Sequence, residues 1–532
     1  MLRIRVLIVS AILFLAGVVQ TLEAQDLASI EKNVTLRTLP NGLTVLLYER
    51  HEAPVFSFYT LVDAGSAQDP KGESGLAHMF EHMAFKGTPQ IGTTNFEAEK
   101  KVLEKIEQIY AQYIYERDRQ VGRDPQKVAE LEKSWKTAAT EAEQYVVRNE
   151  FGRIVEENGG VGLNAGTSAD QTVYYYSLPV NRLELWAYLE SSRFLQPVMR
   201  EFYKERDVVQ EERRMRVDSQ PTSRMIEQFT GTAFLASPYG TPGVGWPDDL
   251  KTFSATDAMR FFDRYYVPSN MVIAVVGDLN PAEAMPVIEK YFGRLPTRPK
   301  PDTRVTSSPP QNSVRQVVVN DRSQPFYIEG YQRPDYSHPD DAIYDAISDI
   351  LSNGRVSRMY RSLVVEKQTA AAAAGFSGMP GTKYPHLFAF YAVPTPGHTP
   401  EDMAKAIHEE IEKLKTSEVT DGELARFKTR SKADLIRSLG SNSGMASQLA
   451  VYQARFGDWR EIFHQLDRYD KITKQDIIRV AKSTFTASNR TVAMLQTIPA
   501  AGAAAAPKEG APAKQPGKAG SRTAKPTAGG QR

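Results

Sequence analysis

The sequence predicts an α+β protein: two homologous domains, each a largely antiparallel sheet packed with helices, plus an inserted helical hairpin arm. Three observations predict it. The chain has 532 residues, too long for one compact core. Short β-rich runs alternate with long amphipathic stretches. One pattern also recurs. Tyr266-Val267-Pro268-Ser269-Asn270 leads into the β-rich run Met271 to Val276, and Phe485-Thr486-Ala487-Ser488-Asn489 leads into Thr491 to Leu495. Each follows an amphipathic helix, Ala255 to Arg264 and Lys474 to Ser483. Two such endings about 220 residues apart read as two α/β units of that size.

Residues 1–24 read as a signal peptide. Arg3 and Arg5 precede an apolar run from Val6 to Val19, broken only by Ser10 and Gly17, and Thr21-Leu22-Glu23-Ala24 offers a cleavage site. The run is short for a membrane span. Export to the periplasm or exterior is the preferred reading, and an uncleaved inner-membrane anchor is the alternative. The first domain, 34–296, opens with Val34 to Thr38 and Leu43 to Tyr48 flanking Pro40-Asn41-Gly42, a hairpin signal, and Val55 to Val62 follows. Within it, Phe96 to Glu150 is strongly charged, with Leu103, Ile106, Tyr110 and Tyr113 in helical period. The pattern resumes at Val128, Leu131 and Trp135 after Gly122 and Pro125, so the segment reads as two antiparallel helices forming an arm outside the compact domain. A Pro-rich stretch, 297–310, is the linker. The second domain, 311–498, opens with strands Gln316 to Val319 and Phe326 to Gly330. Residues 499–532, rich in Ala, Gly, Pro and Lys, read as a disordered tail.

Composition narrows the chemistry. A net charge of +1 gives no reason to expect nucleic acid. There is no cysteine, so disulfides, thiolate ligands and thiol nucleophiles are excluded. Any metal must be held by His, Glu or Asp.

His78-Met79-Phe80-Glu81-His82 carries the strongest chemical signal. Histidines four apart on a helix share a face and can share a tetrahedral metal. Glu81 falls on the same side, where it could take a proton from water at such an ion. Ser74 is the expected N-cap and Gly87 the expected stop. Two histidines leave the metal short of a protein ligand. The best source of a carboxylate is Phe202 to Glu212, where Glu205 and Glu212 lie seven apart and point nearly the same way. Val208, Val209 and Met215 share that face, which predicts that it is the buried one, with Glu211 pointing away. Glu212 is therefore the expected ligand and Glu205 its supporting partner.

At this point the residues resemble a known family, the inverzincin metallopeptidases related to pitrilysin, insulin-degrading enzyme and the mitochondrial processing peptidase. Gly75 to Thr88 resembles the family's active-site helix throughout, and Glu205 to Glu212 its downstream glutamate helix. Leu163-Asn164-Ala165, followed by Thr167-Ser168, resembles the strand on which family members bind substrate. The resemblance implies one zinc ion per chain on His78, His82 and Glu212, with Glu81 as general base and Glu205 in support. It further implies an extended peptide substrate adding to Asn164 and Ala165 as an edge strand, with Phe85 either lining a pocket beyond the scissile bond or packing in the core. Two departures stand out. His82 and Glu212 are further apart than is usual in the family, which the hairpin explains. Family members that work as a closed chamber take an arginine and, seven residues later, a tyrosine from a noncatalytic domain, whereas the matching positions here are Val365 and Ala372. The resemblance therefore implies a zinc-bearing endopeptidase subunit that needs a homologous partner supplying an Arg/Tyr pair. A noncatalytic scaffold subunit is the alternative.

Overall fold

Tight turns and apolar runs build the first sheet. β1 (Val34–Thr38) and β2 (Thr44–Glu49) pair antiparallel around the expected turn, where Gly42 has φ 93° and a side chain would press on Ser269. The computed structural model describes residues 29–498. The expected signal peptide, 1–24, and tail, 499–532, lie outside the described residues.

β3 (Val55–Val62), β4 (Val161–Thr167), β5 (Thr172–Pro179) and β6 (Met271–Gly277) complete a sheet of order β1-β2-β6-β3-β5-β4. Only the β2–β6 pair is parallel. Every residue of β6 is buried, as its unbroken apolar run demands of a strand covered on both faces. β7 (Arg315–Asp321), β8 (Phe326–Arg333), β9 (Ala370–Met379), β10 (His386–Pro394) and β11 (Arg490–Thr497) form the second sheet, ordered β7-β11-β8-β10-β9. Its single parallel pair, β7–β11, stands where β2–β6 stands in the first. The second sheet is thus the first without β1, and the two-domain α+β architecture is the one the repeat predicts.

Each sheet packs its own helices on one face and a helix borrowed from the other half on the opposite face. Helix Asn442–Phe456 lays Met445, Ala446, Leu449 and Ala450 on Leu46, Leu61, Val272 and Ala274 of the first sheet. Helix Pro221–Ala233 returns the arrangement, setting Met225, Phe229 and Ala233 against Ile328, Leu387, Ala493 and Leu495 of the second. Burial of apolar area is the main favourable term in such packing, so the halves stabilise each other.

The hairpin differs from the expected free arm. Its helices, Phe96–Arg117 and Pro125–Ala142, are capped by Asn95 and Asp124. Ile106, Tyr110 and Trp135 are buried in the core of the first domain, with Tyr110 4.4 Å from the Tyr203 ring. Only the tip projects: Tyr115 and Val121 are exposed. The charged faces that suggested an arm are the solvent side of a pair of helices whose aromatic side meets the domain.

A half-buried acid in the second domain yields a stability prediction. Asp345, on helix Asp341–Ser352, accepts a hydrogen bond from the Tyr469 hydroxyl at 2.9 Å. Burial, with the nearby charge of Asp341, pushes its carboxyl up to about 7. The folded state then holds a proton that the unfolded chain releases at about pH 4, so stability falls as pH rises from there toward 7. Asp345→Asn is expected to raise the melting temperature relative to wild type more at pH 8 than at pH 5. Equal shifts at the two pH values in thermal unfolding would refute this assignment.

Candidate metal centre

The site is built where two helices distant in sequence lie side by side. Helix Leu76–Met83 starts one residue later than the sequence suggested. Its N-cap is Gly75, at φ 94°, not Ser74. A side chain at Gly75 would collide with the Gly245 backbone, and the Ser74 hydroxyl is occupied by Asp249 at 2.5 Å. The first-turn N–H groups are satisfied from a distance instead: Asp69 accepts from Gly75 and Ala77 at 2.7 and 2.8 Å. The helix also ends at Met83, ahead of Gly87, which serves a later turn against Ile91.

The second helix, Phe202–Arg213, turns a different face to the core than expected. Phe202, Arg206, Val209 and Arg213 are buried, whereas Val208 and Met215 are exposed and line the cleft. Arginine is the reason. Arg206 reaches the Tyr110 hydroxyl and the Phe253 carbonyl, and Arg213 bonds the Gly245 carbonyl at 2.7 Å and Glu227 at 2.8 Å. Long guanidinium side chains can sit on a buried face when every head group finds acceptors. Glu205 and Glu212, one position round the helix, are half-buried against the histidines, and Glu211 is exposed and paired with Arg214, as expected.

His78, His82 and Glu212 converge. One possible ligand atom from each lies within 4.8 Å of the others, the one such group among the described residues. Glu212 Oε2 is 3.7 Å from His78 Nε2 and 3.5 Å from His82 Nε2. Tetrahedral coordination at about 2.0–2.1 Å puts donor atoms roughly 3.3 Å apart, so this donor set fits zinc with little adjustment. Burial and the neighbouring His82 lower His78 to about 4, which keeps its ring neutral and able to ligate. His82 Nδ1 lies 2.9 Å from Glu205 Oε1, which directs Nε2 toward the centre. Burial opposes the charge on Glu205, but His82 and Lys86 outweigh it and hold that carboxyl down to about 2. Lys86, whose ammonium is 2.6 Å from Glu205, is a participant that sequence reasoning missed, although it sits in the quoted motif.

Glu81 faces the same cleft. Burial pushes its carboxyl above the usual range, against the opposing influence of Thr167 and His82. Thr167 ends β4, the free edge of the first sheet. Asn164 and Ala165 of β4 line that cleft opposite the glutamate helix and also a neighbouring cavity of about 300 Å3. Phe85 lies in the wall of the cavity, with Glu81, Lys86 and the segment 146–151 that follows the hairpin. The structure thus brings all eight predicted residues to one cleft and its adjoining cavity.

Known proteins share features with both halves of the chain. The insulinase (peptidase family M16) domain matches residues 44–112, and the peptidase M16 inactive domain matches residues 252–431. Both matched stretches are thus similar to domains of the insulinase (M16) peptidase family. Among its relatives is the zinc protease PqqE of Helicobacter pylori, 28% identical over 90% of this chain and 95% of the relative. A crystal structure of a protease from Helicobacter pylori superposes with TM-score 0.71 at 27% identity, covering 87% of this chain and 99% of that one. The periplasmic protease PqqL from Escherichia coli has the same fold, with TM-score 0.65 at 18% identity over 88% of this chain and 48% of its own. No helix among the described residues is long and apolar enough to cross a membrane.

The helix phase can be tested by metal affinity. Glu212→Ala is expected to lose zinc binding, while Glu211→Ala leaves it unchanged. Glu205→Ala should weaken it by about 10- to 100-fold through His82. Zinc titration against a competing chelator measures all three, and equal losses at 211 and 212 would contradict the geometry.

Proposed function

We propose that the chain is an exported zinc-dependent endopeptidase that hydrolyses extended peptides in a chamber, with one zinc per chain and a homologous partner subunit. The observation that carries this reading is the convergence of His78, His82 and Glu212 beside Glu81, in a cleft bordered by a free strand edge.

A zinc ion held there would supply Lewis acidity, polarising the substrate carbonyl and making water easier to deprotonate. This chain's residues do the rest. Glu81, its carboxyl raised by burial, takes a proton from the attacking water and returns it to the leaving amine. Glu205, held by Lys86, fixes the ring of His82. β4 offers its unpaired backbone to an extended peptide, so recognition rests on main-chain hydrogen bonds and favours unfolded segments. The cavity beside Phe85 receives the side chain beyond the scissile bond.

The partner is inferred from what the second domain lacks. Val365 and Ala372 lie where an arginine and a tyrosine would be needed, and neither can donate a side-chain hydrogen bond. The match of residues 252–431 to an inactive domain supports the same division of labour. Export is supported by the sequence of residues 1–24 and by the periplasmic relative. A scaffold role would not require an intact set of donors plus a general base, so the enzyme is favoured.

Stoichiometric zinc and chelator-sensitive cleavage of a quenched peptide are expected, measured with and without a copurified homologous chain. Glu81→Gln should keep its zinc and lose about 10²- to 10⁴-fold in kcat. Cleavage that persists without metal, or zinc loss in Glu81→Gln, would defeat the assignment.

A further inference from the structure

Resting on the reading above, we propose that Asp170 is a positioning residue through which the second domain sets the placement of the catalytic edge strand relative to Glu81. Asp170 lies in the turn between β4 and β5, 9% exposed, in the half that carries the metal centre. A carboxylate buried this deeply needs partners. It finds none in its own turn; they come from elsewhere. The Tyr239 hydroxyl donates to Oδ1, and the backbone N–H groups of Thr382 and Lys383 donate to Oδ2 at 2.7 and 3.1 Å. Those two N–H groups belong to the β9–β10 loop of the second domain.

The contact is built to close tolerance. A Cβ on Gly381 would stand 2.6 Å from Asp170 Oδ1 and from the Tyr239 hydroxyl. Lys383 Nζ adds an ion pair to Asp63 at 2.6 Å, and Gln68 donates to the Tyr384 hydroxyl at 2.8 Å. The other side of the turn is equally fixed. Ser66 and Ala67 donate their N–H groups to the carbonyls of Ser168 and Ala169 at 3.0 and 2.9 Å. The turn is therefore held between the loop leading to the histidine helix and a loop of the other domain.

Three residues ahead of Asp170 is Thr167, which ends β4 and lines the cleft together with Glu81. Releasing Asp170 frees the end of β4 and lets Thr167 drift from Glu81. Displacements near 1 Å at reacting groups cost about 100-fold in rate. None of the metal ligands takes part in this contact, so metal affinity is independent of it.

Asp170→Ala is expected to lower kcat by about 10- to 100-fold, with zinc content unchanged and KM within about threefold. Asp170→Asn, which keeps an acceptor for the backbone N–H groups, should recover much of the loss. Gly381→Ala, made in the other domain and outside the left-handed region, should reproduce the defect, and the double variant should be no worse than Asp170→Ala alone. Amide hydrogen exchange should quicken over residues 161–171 in both single variants and stay unchanged in the histidine helix. Additive kcat losses, a loss tracking zinc content, or unaltered exchange over 161–171 would overturn the proposal. Exchange reads the contact without any turnover: if wild type cleaves no peptide, the peptidase reading fails, and the exchange result alone decides the coupling.

Discussion

Everything at the centre depends on two arginines that hold the glutamate helix against the core. Arg206 and Arg213 sit two turns apart, and their head groups end on the Phe253 and Gly245 carbonyls. These bonds fix both the depth and the rotation of the helix. With that rotation, Glu205 and Glu212 meet the two histidines; rotated by one residue, they would face solvent and the arginines the cleft. A charged group on a buried face is costly unless it finds hydrogen-bond acceptors, so the arrangement is narrow. That narrowness gives a flexible carboxylate a defined address more than a hundred residues along the chain from its partners.

Much of the fold was legible in the sequence. The turn at Pro40-Asn41-Gly42, the β-rich run Val55 to Val62 and the repeated approach to β6 and β11 are local signals, and each marks an element of the fold. The histidine pair was legible because helical spacing alone places both rings together. The direction of Glu212 was also read correctly, but for an incorrect reason. Val208 and Met215 suggested a buried face by their hydrophobicity, yet they line the open cleft while arginines occupy the interior. Hydrophobic periodicity misreads a helix when long side chains carry their charge through the core to distant carbonyls. No pattern in one helix records where those carbonyls are.

The same limit explains Asp69, Lys86 and Asp170. Each acts on an element outside its own stretch of chain. Asp69 satisfies the start of the histidine helix, Lys86 holds Glu205, and Asp170 joins the strand edge to the second half. A charged residue in a loop looks the same in sequence whether it meets water or an orphan N–H. The hairpin was misjudged for a related reason. Its polar faces are real, but Tyr110 and Trp135 show their role only when Tyr203 is beside them.

The exchange of helices Pro221–Ala233 and Asn442–Phe456 between the two sheets has a consequence for how the chain can be divided. Severed at the linker, each fragment would take away the lid of the other and leave a bare hydrophobic sheet of its own. Each piece carries a full sheet but lacks the helix that covers one face of it. The molecule behaves as a covalent dimer whose protomers have traded covers, and synthesis must deliver residue 456 before the first sheet is sheltered on both sides.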